Sequence, residues 1–176
     1  MTRPVEPSSV IQSPCLTVTP LAVNFLGTVV AYDKPGCGLS DPWPAPQTLD
    51  SDLEVLRAVT DHLKLGRVDL LGLSMGAPLS LAYAVHHPEE VGRLILYGGF
   101  ANGHQIASAK VRAAMIELVR AHWGLGSDVL ADIFLPDGTA EAKARFAQLQ
   151  RGSTTAEVAA ELLAQEGILL RYTELG

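Results

Sequence analysis

Several features are scarce or missing in this 176-residue sequence, and each absence excludes a class of protein. Only two cysteines are present, Cys15 and Cys37, so we expect neither a disulfide framework nor a cysteine–histidine metal site. No apolar run reaches the ~18 residues of a membrane helix, and the N-terminal part lacks the basic start and apolar core of a signal peptide. The net charge of −6 argues against a nucleic-acid partner. We therefore expect a cytoplasmic protein without metal, cofactor, membrane or nucleic-acid partner.

What is present is the composition of a globular protein. Apolar residues make up 48% of the chain and charged residues 18%, and the length suffices for one domain with a real core. The composition and patterning divide the chain into three segments. Residues 1–27 are a poorly determined N-terminal segment with a possible short strand at 15–19 and a short helix at 20–26. Residues 28–100 read as an α/β core, and residues 101–176 as an all-helical region.

The most informative stretch is the apolar run at residues 68–73, which leads into residues 72–76 (GLSMG) and then a run of small helix-forming residues. This G-x-S-x-G pattern is typical of a sharp strand-to-helix turn that exposes the central side chain. It predicts a strand over 68–73 and a helix over 75–86. We expect Gly72 and Gly76 to be required because a Cβ at either position would clash with the crossing backbone.

Such a turn makes Ser74 a candidate nucleophile. The backbone N–H of Met75, at the amino end of the helix, is a candidate donor to a developing oxyanion. The alternative is a chance match in a glycine-rich chain. The apolar strand before the motif and the helix after it favour the first interpretation.

The rest of the first half predicts strands at 28–32 and 93–97, and a helix at 51–65 that opens with a capping box of Ser51 and Glu54. The loop at 33–41 contains two glycines and a proline. A phosphate-binding loop is disfavoured there because no helix start with a Lys-Ser/Thr pair follows, and Cys37 is interpreted as a small loop residue rather than a nucleophile.

In the second half we predict helices at 104–122, 128–134, 139–149 and 155–165, with an ambiguous strand at 168–172. We expect these helices to form a cap over the active-site edge of the sheet. Trp43 and Trp123 line a substrate pocket or serve packing. A catalytic or metal-binding role for His86 and His87 is disfavoured because they stand at the end of their helix opposite Ser74.

Three motifs together resemble the α/β-hydrolase family. They are residues 33–40, a variant of D-x-R-G-x-G-x-S with Pro35 in place of the arginine, residues 72–76, and residues 82–91 ahead of an apolar strand. Residues 121–124 and 134–137 are similar to bacterial members. The resemblance implies an α/β fold with a mostly parallel sheet of about three strands and a helical cap.

The family's chemistry is acyl transfer by a serine, an acid and a histidine, in that chain order. The resemblance gives Ser74 the first role, and we carry over no acid and no histidine. We therefore interpret the chain as a fragment that lacks the N-terminal strands and the C-terminal Asp/His part, with little or no activity as it stands.

Two functions follow from this interpretation. The first is hydrolysis of a small ester, amide or lactone through Ser74. The second is a non-catalytic binding or regulatory domain, able to self-associate through its exposed sheet edges.

Overall fold

The computed structural model describes residues 28–41, 46–100 and 107–165. Within these residues the elements follow the order α1 (Leu49–His62), β1 (Val68–Leu73), α2 (Gly76–His86), β2 (Val91–Tyr97), α3 (Ala109–Ala121), α4 (Trp123–Phe134), α5 (Ala140–Ser153) and α6 (Ala156–Gln165). None of these helices has the length and apolar character needed to cross a membrane. Four predicted features lie outside the described residues: the elements at 15–19, 20–26 and 168–172, and Trp43.

The chain forms two compact units. One comprises Met1–Pro42 with Ser127–Thr155, and the other comprises Trp43–Gly126 with Ala156–Gly176. The first holds the loop at 33–41 and α5, and the second holds the sheet with α1, α2, α3 and α6. The three-segment division inferred from composition stays a prediction.

The sheet of the second unit consists of β1 and β2, which pair in parallel with Leu71 opposite Ile95 and Leu73 opposite Tyr97. Parallel neighbours need a crossover, and α2 supplies it. This helix packs on the sheet face that carries Gly72. The strand predicted at 68–73 is confirmed, and the one predicted at 93–97 begins two residues earlier, at Val91.

The strand predicted at 28–32 is wrong, because these residues take no strand conformation and most of them are exposed. A β-branched run becomes a strand only when a neighbour completes its hydrogen-bond ladder. In the described part of the chain the two named strands pair with each other. The α/β class and the parallel sheet are therefore as predicted, with two strands here instead of about three.

Helix α1 starts earlier than predicted because a different residue caps it. Thr48 Oγ1 accepts a hydrogen bond from the Ser51 N–H at 3.1 Å, and Ser51 Oγ accepts one from the Thr48 N–H at 2.8 Å. Ser51 is therefore the third residue of the helix and not its cap, and the capping box of Ser51 with Glu54 is wrong. Two hydroxyl residues three apart offer the same local signal, and the backbone before Thr48 decides between them.

The four helices predicted in the second half are confirmed, with shifted ends. α3 begins at Ala109, after the N-cap Ser108, and α4 begins five residues before its predicted start. His122 explains the early start of α4, since its Nδ1 accepts a hydrogen bond from the Leu125 N–H at 3.1 Å and caps the first turn. Within the second unit, α3 packs against α6, with Val119 and Ala160 fully buried.

In the first unit, the loop at 33–41 is held by its own residues and by the end of α5. Asp33 Oδ2 accepts a hydrogen bond from the Leu39 N–H at 3.1 Å, and the Gly38 N–H donates to the Ser153 carbonyl at 2.7 Å. Thr154 Oγ1 donates to the Gly36 carbonyl at 2.9 Å. Cys37 is buried in this loop, as a small packing residue would be.

Candidate active site

Ser74 stands between the end of β1 and the start of α2, and its side chain is exposed. Its φ angle is 49°, in the left-handed region that a residue with a Cβ rarely adopts. The Ser74 N–H donates to the Tyr97 carbonyl at 2.9 Å, and the Ser74 carbonyl accepts from the Ala77 N–H at 2.9 Å. The turn is therefore fixed to β2 on one side and to the first turn of α2 on the other.

The two glycines of the motif, Gly72 and Gly76, differ in the space available for a side chain. A Cβ on Gly72 would lie 2.5 Å from the Gly76 carbonyl oxygen and 2.7 Å from the Ala77 Cα, so the strand and helix backbones can cross only with glycine there. A Cβ on Gly76 would meet no atom within 4 Å. The clash with the crossing backbone that was expected at both glycines is therefore present at Gly72 and absent at Gly76.

The end of β2 lies against the same turn. Gly98 takes a φ of 60°, and a Cβ on Gly99 would lie 2.6 Å from the Ala77 Cβ. A side chain at Gly99 would push the first turn of α2 away from β2. The backbone after Tyr97 thus approaches the elbow closely, a feature that the sequence signalled only as a pair of glycines.

Met75 precedes α2 as its N-cap residue, with φ −59° and ψ −23°, and no side chain caps the helix there. The first N–H groups of a helix have no partner within the helix and point toward its amino end. Together with the helix dipole they favour negative charge at this position. The role of the Met75 N–H as a donor to an oxyanion beside Ser74 stays a prediction.

His86, the last residue of α2, and His87, which follows it as the C-cap, lie far from Ser74. The helix has 11 residues, and at ~1.5 Å per residue it places His86 about 15 Å along its axis from Gly76. His86 Nδ1 is 2.8 Å from the Ala82 carbonyl, and His87 Nδ1 is 3.0 Å from an Arg57 guanidinium nitrogen. These histidines contribute to the far end of the helix, as their place in the sequence predicted.

His87, for which the sequence analysis disfavoured a metal-binding role, lies beside two carboxylates. One ligand atom each from His87, Glu89 and Glu90 lies within 4.8 Å of the others. The Arg57 guanidinium, however, lies against His87 and 3.6 Å from Glu90 Oε1. A cation is already in place, so this cluster is better explained as an ion-pair network.

Tyr83 in α2, which the sequence analysis did not single out, is fully buried. Its hydroxyl donates to Glu90 Oε2 at 2.6 Å and lies 3.2 Å from Thr60 Oγ1. Burial raises the pKa of Tyr83, and the hydrogen bond with Glu90 adds to that effect. The same bond lowers the pKa of Glu90. One tyrosine in a helix of small and aliphatic residues was the only sequence signal for this network.

Trp123 is half-buried at the start of α4. A role for it in a substrate pocket stays a prediction.

Comparison with known proteins agrees with this geometry. The sequence profile of the α/β hydrolase fold family matches residues 25–160. The chain is 38% identical over 76 residues to a 2-hydroxy-6-oxononadienedioate/2-hydroxy-6-oxononatrienedioate hydrolase of Escherichia coli, and 41% identical over 76 residues to the hydrolase of that name from Burkholderia vietnamiensis. Each match covers 43% of this chain and 26% of the relative.

Solved structures give the same fold. An esterase from Exiguobacterium antarcticum superposes with a TM-score of 0.65 at 21% identity, over 77% of this chain and 54% of that one. A thermophilic esterase from Thermogutta terrifontis gives 0.59 at 25% identity, over 77% and 53%. The chain thus spans about half the length of these structures. A parallel βαβ unit with Ser74 at its sharp turn, together with a family profile that covers most of the chain, shows that the protein belongs to the α/β-hydrolase family.

Proposed function

We propose that this chain is part of a serine hydrolase in which Ser74 is the nucleophile. The observation that carries the proposal is the exposed, left-handed Ser74 between β1 and α2, beside the amino end of a helix. Strained backbone at a serine on such a turn is the arrangement that presents a hydroxyl to a substrate.

The proposed chemistry has two steps. Ser74 Oγ attacks the substrate carbonyl while a base takes its proton, and the oxyanion that forms accepts a hydrogen bond from the Met75 N–H. The leaving group departs with a proton, and water then releases the acyl group from Ser74. Within the described residues we assign neither the histidine nor the acid, so both are expected from other parts of the protein.

We propose a small ester, amide or lactone as substrate. The esterases among the structural relatives support an ester, and the curated relatives support hydrolysis of a small organic acid. A cytoplasmic location, without nucleic-acid or membrane partners, belongs to the same proposal.

The experiment is hydrolysis of p-nitrophenyl butyrate by the full chain, by Ser74→Ala and by Ser108→Asp. The last variant removes a hydroxyl elsewhere and leaves a good helix cap. An incomplete triad typically leaves ~10³–10⁴-fold acceleration over water, which comes from the oxyanion hole and binding, so we expect slow turnover in all three proteins. The ester should also leave a butyryl group on Ser74, detected by mass spectrometry, in the native chain and in Ser108→Asp but not in Ser74→Ala. A chain without a butyryl group on Ser74 would contradict the role of this residue.

A second candidate function is a non-catalytic binding domain, and one surface favours it. Leu71, Ile95 and Tyr97 lie on the sheet face opposite α2, with exposed fractions of 48%, 55% and 74%. Parallel strands are usually covered on both faces, so this face suits a partner or a second copy of the chain. Analytical ultracentrifugation distinguishes the two functions: concentration-dependent self-association without a butyryl group on Ser74 favours the binding domain.

A further inference from the structure

A partly buried polar contact at the carboxyl end of α2 joins three elements. Tyr83 in α2 is fully buried, Thr60 in α1 is 6% exposed, and Glu90 lies in the turn before β2. The Tyr83 hydroxyl is 2.6 Å from Glu90 Oε2 and 3.2 Å from Thr60 Oγ1. Thr60 Oγ1 also lies 2.9 Å from the Arg57 carbonyl, which gives its single proton an alternative acceptor.

The charge states make this contact strong at neutral pH. Tyr83 stays protonated and donates, and Glu90 stays ionised and accepts, so the bond is charge-assisted. The Arg57 guanidinium, 3.6 Å from Glu90 Oε1, adds to the attraction. A buried tyrosine hydroxyl without an acceptor would be unfavourable, so α2 has one preferred position relative to α1 and the turn.

The other end of α2 carries the strain at Ser74. A left-handed residue with a Cβ persists only where the surrounding structure leaves it no alternative. The bond from the Ser74 N–H to the Tyr97 carbonyl fixes the strand side of the turn. The Ala77 N–H, which donates to the Ser74 carbonyl at 2.9 Å, joins the turn to the first turn of α2, so a change in the position of this helix acts directly on Ser74.

We infer that Tyr83 is a positioning residue: its contacts with Glu90 and Thr60 fix the axis of α2 and thereby hold Ser74 in the left-handed conformation. The functional meaning of this inference rests on the proposed role of Ser74. The inferred coupling itself does not depend on that role, because it is a physical interaction between two positions at opposite ends of α2.

The test is a double-mutant cycle in the full chain with Tyr83→Phe and Ser74→Gly, followed by urea unfolding. The two positions are nine residues apart, roughly 13 Å along the axis, a separation at which stability effects normally add. If the contacts of Tyr83 hold Ser74 in its strained conformation, Tyr83→Phe lets Ser74 relax and removes part of the free-energy cost of that strain. In the Ser74→Gly background the backbone carries no such cost, so nothing offsets the loss of the Tyr83 hydroxyl.

We therefore expect Tyr83→Phe to lower the folding equilibrium constant three- to tenfold more in the Ser74→Gly background than in the native one. Val119→Ala, which removes buried atoms from α3, is the matched control and should cost the same in both backgrounds. Additivity of Tyr83→Phe and Ser74→Gly within a factor of two would overturn the inference.

A second measurement keeps the inference testable if Tyr83→Phe does not unfold reversibly. The ¹³Cα and ¹³Cβ shifts of Ser74 report its φ and ψ directly. They should move toward right-handed values in Glu90→Ala, which removes the acceptor of the Tyr83 hydroxyl, and stay unchanged in Val119→Ala. Unchanged shifts in Glu90→Ala would contradict the inference. Neither readout requires Ser74 to react, so loss of the proposed function and loss of this coupling are separate outcomes.

Discussion

Replacing Ser74 by glycine should stabilise the fold, although it removes the proposed nucleophile. Ser74 is the one residue of its turn that combines a Cβ with a positive φ, at 49°. Its side chain is exposed, so truncation loses little packing. The change in the free energy of unfolding therefore reports mainly the backbone strain.

The expected magnitude follows from two opposing terms. A left-handed conformation costs a residue with a Cβ about 1–2 kcal/mol, and glycine avoids that cost. Glycine also loses more chain entropy on folding, which offsets about 0.5–1 kcal/mol. The net stabilisation should be about 0.5–1 kcal/mol, or about 1–4 °C in Tm for a chain of this size.

The assay is urea and thermal unfolding of Ser74→Gly beside Ser74→Ala, which keeps the Cβ and the strain. Gly66→Ala measures the same quantity in reverse, since Gly66 has a φ of 63° and an added Cβ would meet nothing within 4 Å. We expect Ser74→Ala within about 0.5 kcal/mol of the native chain and Gly66→Ala about 1 kcal/mol less stable.

Equal stability of Ser74→Gly and Ser74→Ala would refute the reasoning, provided that Gly66→Ala shows its expected loss. That result would mean that the turn at Ser74 carries no strain in solution, and that it does not hold the hydroxyl in a special orientation.

Three further predictions concern the same unit. Gly72→Ala should destabilise the fold by about 2–3 kcal/mol because its Cβ meets the backbone of α2. Gly76→Ala should be neutral or stabilise the fold by up to about 1 kcal/mol. Equal losses of stability in urea unfolding would contradict the crossing geometry. Because Tyr83 lowers the pKa of Glu90 below its ordinary value of 4.5, the stability from Glu90 is present above about pH 4.5 and lost as pH falls through the lower folded value. Glu90→Gln should therefore flatten the acid limb of urea midpoints measured from about pH 7 to 3, and an unchanged limb would exclude this contribution. Thr48→Ala should cost about 1 kcal/mol through loss of the α1 cap, and Thr48→Ser should restore it in thermal unfolding.

Local patterns predicted the part of the fold that depends on neighbours in the chain. The apolar run before Ser74 and the small residues after it were enough for β1, α2 and the turn between them. The second strand, ending at Tyr97, followed from its apolar run. The signals that predict these elements lie in the residues that form them.

What sequence reasoning missed depends on residues that are distant in the chain. Residues 28–32 have strand propensity, but propensity cannot supply a pairing neighbour. The motif alone does not distinguish Gly72 from Gly76. The difference between them depends on which atoms a Cβ at each position would meet. The contact of Tyr83 with Thr60 likewise joins two helices, so no local pattern marks it.

The central claim, that the turn between β1 and α2 presents Ser74 as a nucleophile, is tested most directly by labelling the folded full chain with a fluorophosphonate, which reacts with activated serines. The account predicts that the label is found on a peptide that contains Ser74, that it forms more slowly than in a hydrolase with a complete triad, and that Ser74→Ala takes no label. Labelling at another residue, or none in a chain that circular dichroism shows to be folded, would contradict the catalytic role and favour the binding domain.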